Sequence, residues 1–182
     1  MKSARIMQLL PAMGDGGVER GTLEMAEYLA AKGVPNWVVS AGGPLVSPLE
    51  DVGTHHIAMK VGAKSPFSIL ANAARLSRLI DRYQIDIVHA RSRAPAWAGY
   101  LACMVAKHSP RFLTTFHGVY GHGNGLKRAY NRVMVKSTLV IANSAFIRDH
   151  ITSVYGIDES RIIVAPRGVD TGLFDPQRLD PE

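Results

Sequence analysis

The sequence has one cysteine, Cys103, in 182 residues. One thiol cannot close an intramolecular disulfide, which suits a reducing compartment and argues against a disulfide-stapled secreted fold. Long apolar runs are missing too. The longest, residues 94–106, is well short of the ~20 residues that cross a bilayer. The opening run at residues 4–10 is broken by Arg5 and Gln8 and followed by Pro11, so it does not read as a secretory signal. The expectation is a cytoplasmic protein that does not span a membrane.

Familiar nucleotide and hydrolase motifs are also lacking. There is no Gly-Lys-Ser/Thr of a P-loop, and the spacing of Gly14, Gly16 and Glu19 misses G-x-G-x-x-G. The run Ser40-Ala41-Gly42 lacks the acidic residue that would hold a ribose, so nicotinamide chemistry is disfavoured. No G-x-S-x-G elbow exists for a Ser-His-Asp hydrolase. His117 with His122, or His55 with His56, could begin a metal site, but no further Cys, His or carboxylate falls at a matching spacing. Neither a metal nor a cofactor is expected.

What is present is ample apolar material and a surplus of positive charge. At 47% hydrophobic residues the chain can bury one good core, and one domain is the prior. Lys and Arg outnumber Asp and Glu by 21 to 15, a net charge of +6 that favours anionic partners. Nucleic acid is disfavoured, because aromatic residues are not interleaved with the basic ones and no recognition motif occurs.

Short β-branched runs alternate with longer helical stretches, which predicts an α/β fold: a doubly wound, mainly parallel, seven-stranded Rossmann-like sheet. The strands are expected at residues 5–10, 37–41, 55–59, 86–89, 111–116, 138–142 and 161–165. One helix is expected through Val18, Leu23, Ala26, Leu29 and Ala30, stopping at Gly33. A second carries Phe67, Leu70, Ala71, Ala74, Leu76, Leu79 and Ile80, and others cover 95–107, 126–136 and 144–155, the last capped by Ser144. Residues 1–165 read as the domain. After Pro166 the composition shifts to Gly, Asp and Pro, so 166–182 reads as the start of a linker toward a further folded unit outside this chain.

In an open parallel sheet ligands bind at the carboxyl ends of the strands, so the residues there are the candidates. After the first strand, Gly14-Asp15-Gly16-Gly17-Val18-Glu19-Arg20 offers backbone N–H groups to an anion at a helix start, although Gly16 and Gly17 would also serve a plain tight turn. The fourth strand leads into His89-Ala90-Arg91-Ser92-Arg93 and the fifth into Thr115-Phe116-His117-Gly118. A strand-end histidine suits a hydrogen-bonded structural role as well as chemistry. Gly118 tips His117 toward the second, since a neighbour without a Cβ permits close ligand approach. At four-residue steps Arg128, Arg132 and Lys136, with Lys127 beside them, make a basic stripe; Arg75, Arg78 and Arg82 make another. Such stripes serve either as solvated faces or as contacts to anionic lipid.

Taken in order, Gly16-Gly17-Val18-Glu19-Arg20, Asp86-Ile87-Val88-His89-Ala90-Arg91-Ser92-Arg93, the Thr-Phe-His-Gly at 115–118, Val140-Ile141-Ala142-Asn143-Ser144, and Pro166-Arg167-Gly168-Val169-Asp170 with Phe174 and Pro176 resemble one family. The chain is similar, over nearly its whole length, to the N-terminal domain of a glycosyltransferase family 4 enzyme of GT-B fold, the bacterial lipopolysaccharide and cell-envelope type. The resemblance implies two Rossmann-like domains flanking a cleft, the N-terminal one holding the acceptor and the C-terminal one most of a nucleotide-sugar donor. It implies sugar transfer with retention and without a metal, onto a cell-envelope glycan or glycolipid, by an enzyme that is peripheral to the inner membrane face.

Carried onto this chain, the resemblance puts Gly16, Gly17 and Gly118 near the donor phosphates and sugar, and His117 near the transferred sugar as the catalytic candidate. Glu19, Arg91, Ser92 and Arg93 fall on the acceptor side. The stripe of Lys127, Arg128, Arg132 and Lys136, read from its spacing and not from the resemblance, is the candidate membrane or anion contact. The family commonly has Asn where this chain has Arg167, and its paired glutamates belong to the C-terminal domain. Without that domain the chain is expected to be inactive. A noncatalytic nucleotide- or glycan-binding subunit that works with a separate partner chain is the alternative.

Overall fold

A computed structural model describes residues 3–121 and 123–168. His122 and the linker residues Val169, Asp170, Phe174 and Pro176 lie outside the described residues. The strands are β1 (Ile6–Leu9), β2 (Asn36–Ser40), β3 (His55–Ala58), β4 (Ile87–Ala90), β5 (Arg111–Phe116), β6 (Leu139–Ala142) and β7 (Ile162–Val164), each within one residue of its expected bounds. All are parallel in one sheet, ordered β3-β2-β1-β4-β5-β6-β7. The winding direction reverses between β1 and β4, and there the crevice beyond the strand ends opens.

Burial follows from the architecture. A parallel sheet covered on both faces needs strands that are apolar throughout, and β2 is buried along its whole length. The helices are α1 (Gly17–Ala31), α2 (Val46–Asp51), α3 (Pro66–Tyr83), α4 (Arg93–Val105), α5 (Gly125–Asn131) and α6 (Ala145–Tyr155). Ser144 caps α6 as expected, its hydroxyl accepting from Ile147 N at 3.2 Å. α4 lies close on the sheet because Gly99 has no side chain there. A Cβ at that position would sit 2.6 Å from Leu9 Cδ1.

Three expectations need correction. The short helix α2 was not foreseen; it follows Gly42-Gly43-Pro44 and carries Pro48, punctuation that hides a six-residue helix burying only Leu49. On α3 the buried face runs through Ala73, Leu76 and Ile80, while Phe67, Leu70, Ala71 and Ala74 of the expected stripe are exposed. Apolar residues recur around α3 on more than one face, so periodicity alone did not single out the inner one.

The expected helix over 126–136 ends as an α-helix at Asn131 and continues as a 3-10 turn over Arg132–Val135. Val133, Met134 and Val135 are all buried. Three consecutive inward side chains cannot lie on one face of an α-helix, whereas the tighter winding followed by a turn into β6 accommodates them. The four basic residues of the expected stripe therefore do not share one continuous helical face, although all are exposed and Arg128 and Arg132 line one surface groove. Arg128 donates to Val154 O, and Lys136 lies over the Tyr100 ring, 5.2 Å from its centroid.

Candidate functional site

A cavity of about 340 Å³ lies against the carboxyl ends of β4, β5, β6 and β7, walled on the other side by α1. β4 contributes His89 and, just beyond it, Arg91; β5 contributes Thr115 and His117. Asn143 follows β6, and residues 165–168 follow β7. The α1 wall presents Gly21, Glu24 and Tyr28.

Arg91 is buried, and the charge is held by a neutral partner. Its Nε and Nη2 donate to Gln8 Oε1 at 3.0 and 2.8 Å. Among the described residues no carboxylate comes within ion-pair distance of it. Burial, then Arg167, lower its pKa to about 10, with Glu24 acting the other way, so the guanidinium still carries its charge at neutral pH. A buried cation with no counter-ion favours an anionic ligand.

The two histidines are neutral. Burial, then the charges of Arg91 and Arg167, bring His117 down to about 4. His89 is held well below its ordinary value by burial, Arg91 and His117. His89 Nε2 is 2.7 Å from Thr115 Oγ1, which assigns it the hydrogen-bonded structural role. His117 differs: its Nε2 is buried and has no partner among the described residues. Its backbone is fixed instead, because Asn143 Nδ2 donates to His117 O at 3.0 Å. Asn143 Oδ1 is likewise without a partner among the described residues. An acceptor and a neutral imidazole nitrogen thus await polar groups beside a positive charge.

The sequence profile described as Glycosyltransferase Family 4 matches residues 15–173. The chain belongs to glycosyltransferase family 4. A solved glycosyltransferase from Rickettsia africae is 45% identical with a TM-score of 0.85, covering 100% of this chain and 47% of its own. The Anabaena protein HepE, solved with UDP and glucose, shares 18% identity at a TM-score of 0.74, over 94% of this chain and 47% of its own. The lipopolysaccharide outer core galactosyltransferase WaaB, in apo form, shares 14% at 0.70, over 91% and 46%. This family 4 chain thus spans about half the length of each of these proteins, one half-domain of the GT-B fold. No curated protein matches it.

Of the residues expected at the site, the family 4 fold brings Arg91 and His117 to one cavity. Gly16 and Gly17 start α1 at its rim, but Glu19 folds back over them. A Cβ on Gly16 would come 2.5 Å from Glu19 Oε2, so this helix start is already attended by its own carboxylate. Ser92 precedes α4 without a side-chain capping bond. Arg93 turns to the loop after β5: Nη1 donates to Asn131 Oδ1 at 3.1 Å, and the guanidinium lies 4.7 Å from the Tyr120 ring centroid. Gly118 stands in open space, where a Cβ would meet no atom. Lys127 and Arg132 are exposed on α5 and the turn after it, away from the cavity lining.

Gln8, Glu24 and Gly21 were not anticipated. Gln8 left a trace in the sequence, as a polar residue inside an otherwise apolar strand. Glu24 and Gly21 left none, since a carboxylate and a glycine on an amphipathic helix look like ordinary surface. Among the described residues, no helix is long and apolar enough to cross a membrane, and no three His, Cys, Asp or Glu side chains cluster to hold a metal.

Proposed function

We propose that this domain is the acceptor-side half of a retaining, metal-independent glycosyltransferase that moves a sugar from a nucleotide-sugar donor to a cell-envelope glycan or glycolipid. The observation that carries the proposal is the buried Arg91, which has no ion-pair partner among the described residues, beside the Nε2 of neutral His117, which has no hydrogen-bond partner among them. Solved structures that share the fold, one holding UDP and glucose and another a lipopolysaccharide galactosyltransferase, support that class of substrate.

The chemistry needs few groups. Arg91, which the resemblance puts on the acceptor side, has a different role in this proposal: from its buried position it supplies fixed positive potential where negative charge grows on a departing diphosphate. His117, kept neutral, offers a hydrogen bond to a sugar hydroxyl without adding a competing charge, and so orients the sugar for transfer. Gly16, Gly17 and Gly118 lie on the donor side of this scheme, and Glu19, Ser92 and Arg93 on the acceptor side. The remaining donor contacts belong to a second half-domain, and the chain by itself is inactive in this scheme. Lys127, Arg128, Arg132 and Lys136, with Leu126 85% exposed beside them, serve as the contact to an anionic membrane surface.

The test is nucleotide-sugar turnover by this domain joined to a donor-side half, with and without a chelator. His117→Ala is expected to lower kcat by roughly 100-fold with the chelator making no difference. Unchanged turnover in that variant refutes the role of His117, and chelator-sensitive turnover refutes metal independence. Sedimentation with anionic vesicles tests the basic surface separately. Binding that does not weaken as salt rises would count against it.

A further inference from the structure

Glycine is the poorest helix former apart from proline, yet α1 carries it at 17 and again one turn later at 21. The space left by the two absent side chains is filled. A Cβ on Gly17 would lie 3.0 Å from Arg167 Nη1, and one on Gly21 would lie 3.2 Å from both Cζ and Nη2 of the same guanidinium. Arg167 donates from Nη1 to the Gly17 carbonyl and from Nη2 to both oxygens of Glu24, each at 3.1 Å. Positions 17, 21 and 24 follow one another along a single face of the helix. The planar fork thus lies flat in a two-glycine trough, with a carboxylate closing its far end.

We propose that Arg167 is a positioning residue: seated in the Gly17–Gly21 trough and clamped by Glu24, it ties the segment leaving β7 across α1 and builds that wall of the cavity beside Arg91 and His117. Residues 165–168 all line the cavity, and within them Arg167 is what fastens the segment to α1. The ion pair with Glu24 is solvent-exposed and adds little to stability. Its effect is one of placement. A second cation is set near Arg91, and Glu24 limits the repulsion between them. Lysine would not replace this arginine, because a point charge on a flexible stem neither fills the flat trough nor donates along two directions at once. The same contacts give Gly17 and Gly21 a reason to be glycine, independent of any phosphate. The use of this wall for an anionic ligand rests on the function proposed above; the seat itself does not.

The experiment follows the His117 imidazole by NMR in the 182-residue chain, because its titration feels the position of the Arg167 charge. Arg167→Ala is expected to raise the His117 pKa, and Gly21→Leu to raise it in the same direction, because a Cβ alone would shift the guanidinium only slightly whereas a full side chain occupies the trough. In the double variant Gly21→Leu/Arg167→Ala the leucine at 21 should add nothing further. Gly17→Leu, at the exposed start of the helix, repeats the test at the other end of the trough. A Gly21→Leu chain that is folded by circular dichroism and titrates as wild type overturns the proposal. So does an equal shift from Gly21→Leu in the Arg167→Ala background. Binding of inorganic pyrophosphate is measured alongside, with about a tenfold loss expected in Arg167→Ala. A wild-type chain that ignores pyrophosphate counts against the anionic-ligand reading of the cavity, while the NMR comparison still decides the seat.

Discussion

Arg91 donates twice to a single oxygen, the Oε1 of Gln8, and both residues are buried. Gln8 lies in β1 and Arg91 directly follows β4, adjacent strands at the point where the winding of the sheet reverses. The amide thus aims a charge it does not neutralise, leaving that charge available to a ligand.

Gln8→Leu should therefore strand a buried guanidinium. The expected loss is about 2–4 kcal/mol of unfolding free energy in urea, since a hydrogen-bonded charged group loses its partner without regaining water. Adding Arg91→Met should recover part of that loss, because removing both polar partners costs less than removing one. A double variant no more stable than Gln8→Leu would contradict this account.

Acid should weaken the fold through the cavity histidines. The pKa of His117 is about 4 when folded against an ordinary 6.5, and that of His89 is also lowered. Between those two values the unfolded chain binds more protons than the folded one. Stability is then fully present above pH 6.5 and falls as the pH drops toward 4. After allowance for the partial exposure of His117, the effect is roughly 2 kcal/mol. Chemical unfolding at a series of pH values checks it: His117→Asn should flatten this slope, and an unchanged slope would contradict the assignment.

Cys103 should resist thiol reagents. It sits in α4, and burial pushes its thiol up to about 12, so almost no thiolate exists at neutral pH. Labelling by an aromatic disulfide is expected to be slow in the folded chain and rapid in denaturant. Prompt labelling of native protein would show that the packing around α4 does not cover the thiol.

Gly99→Val should destabilise by about 1–3 kcal/mol, the usual cost of overpacking a filled interior. The added atoms would run into Leu9, Phe112 and Val88 and lift α4 from the sheet. Thermal melts would reveal it, and a melting temperature equal to wild type would mean that α4 packs less closely than described.

How much could be read in advance depended on the reach of each signal. Inner strand positions were legible because a strand buried on both faces must be largely apolar, whichever neighbours it acquires; the edge strand β3, with both ends exposed, does not follow that rule. The end of α5 was not, because a local pattern of charges says nothing about the core that claims Val133, Met134 and Val135. In the site, Arg91 and His117 were visible as polar residues at strand ends. Their partners Gln8 and Asn143 were not, since those contacts span 83 and 26 positions of chain.

By itself, the sequence determined the class of fold, the family and the strand ends that carry polar groups, because periodicity, turn residues and local motifs are properties of neighbouring positions. Tertiary structure decided which of those polar groups meet. It set Arg91 against an amide rather than a carboxylate, left His117 Nε2 without a partner among the described residues, and gave Gly17 and Gly21 an arginine to hold. The physical reason is that charge and hydrogen bonding act through a few ångströms of space, and only folding brings distant positions that close.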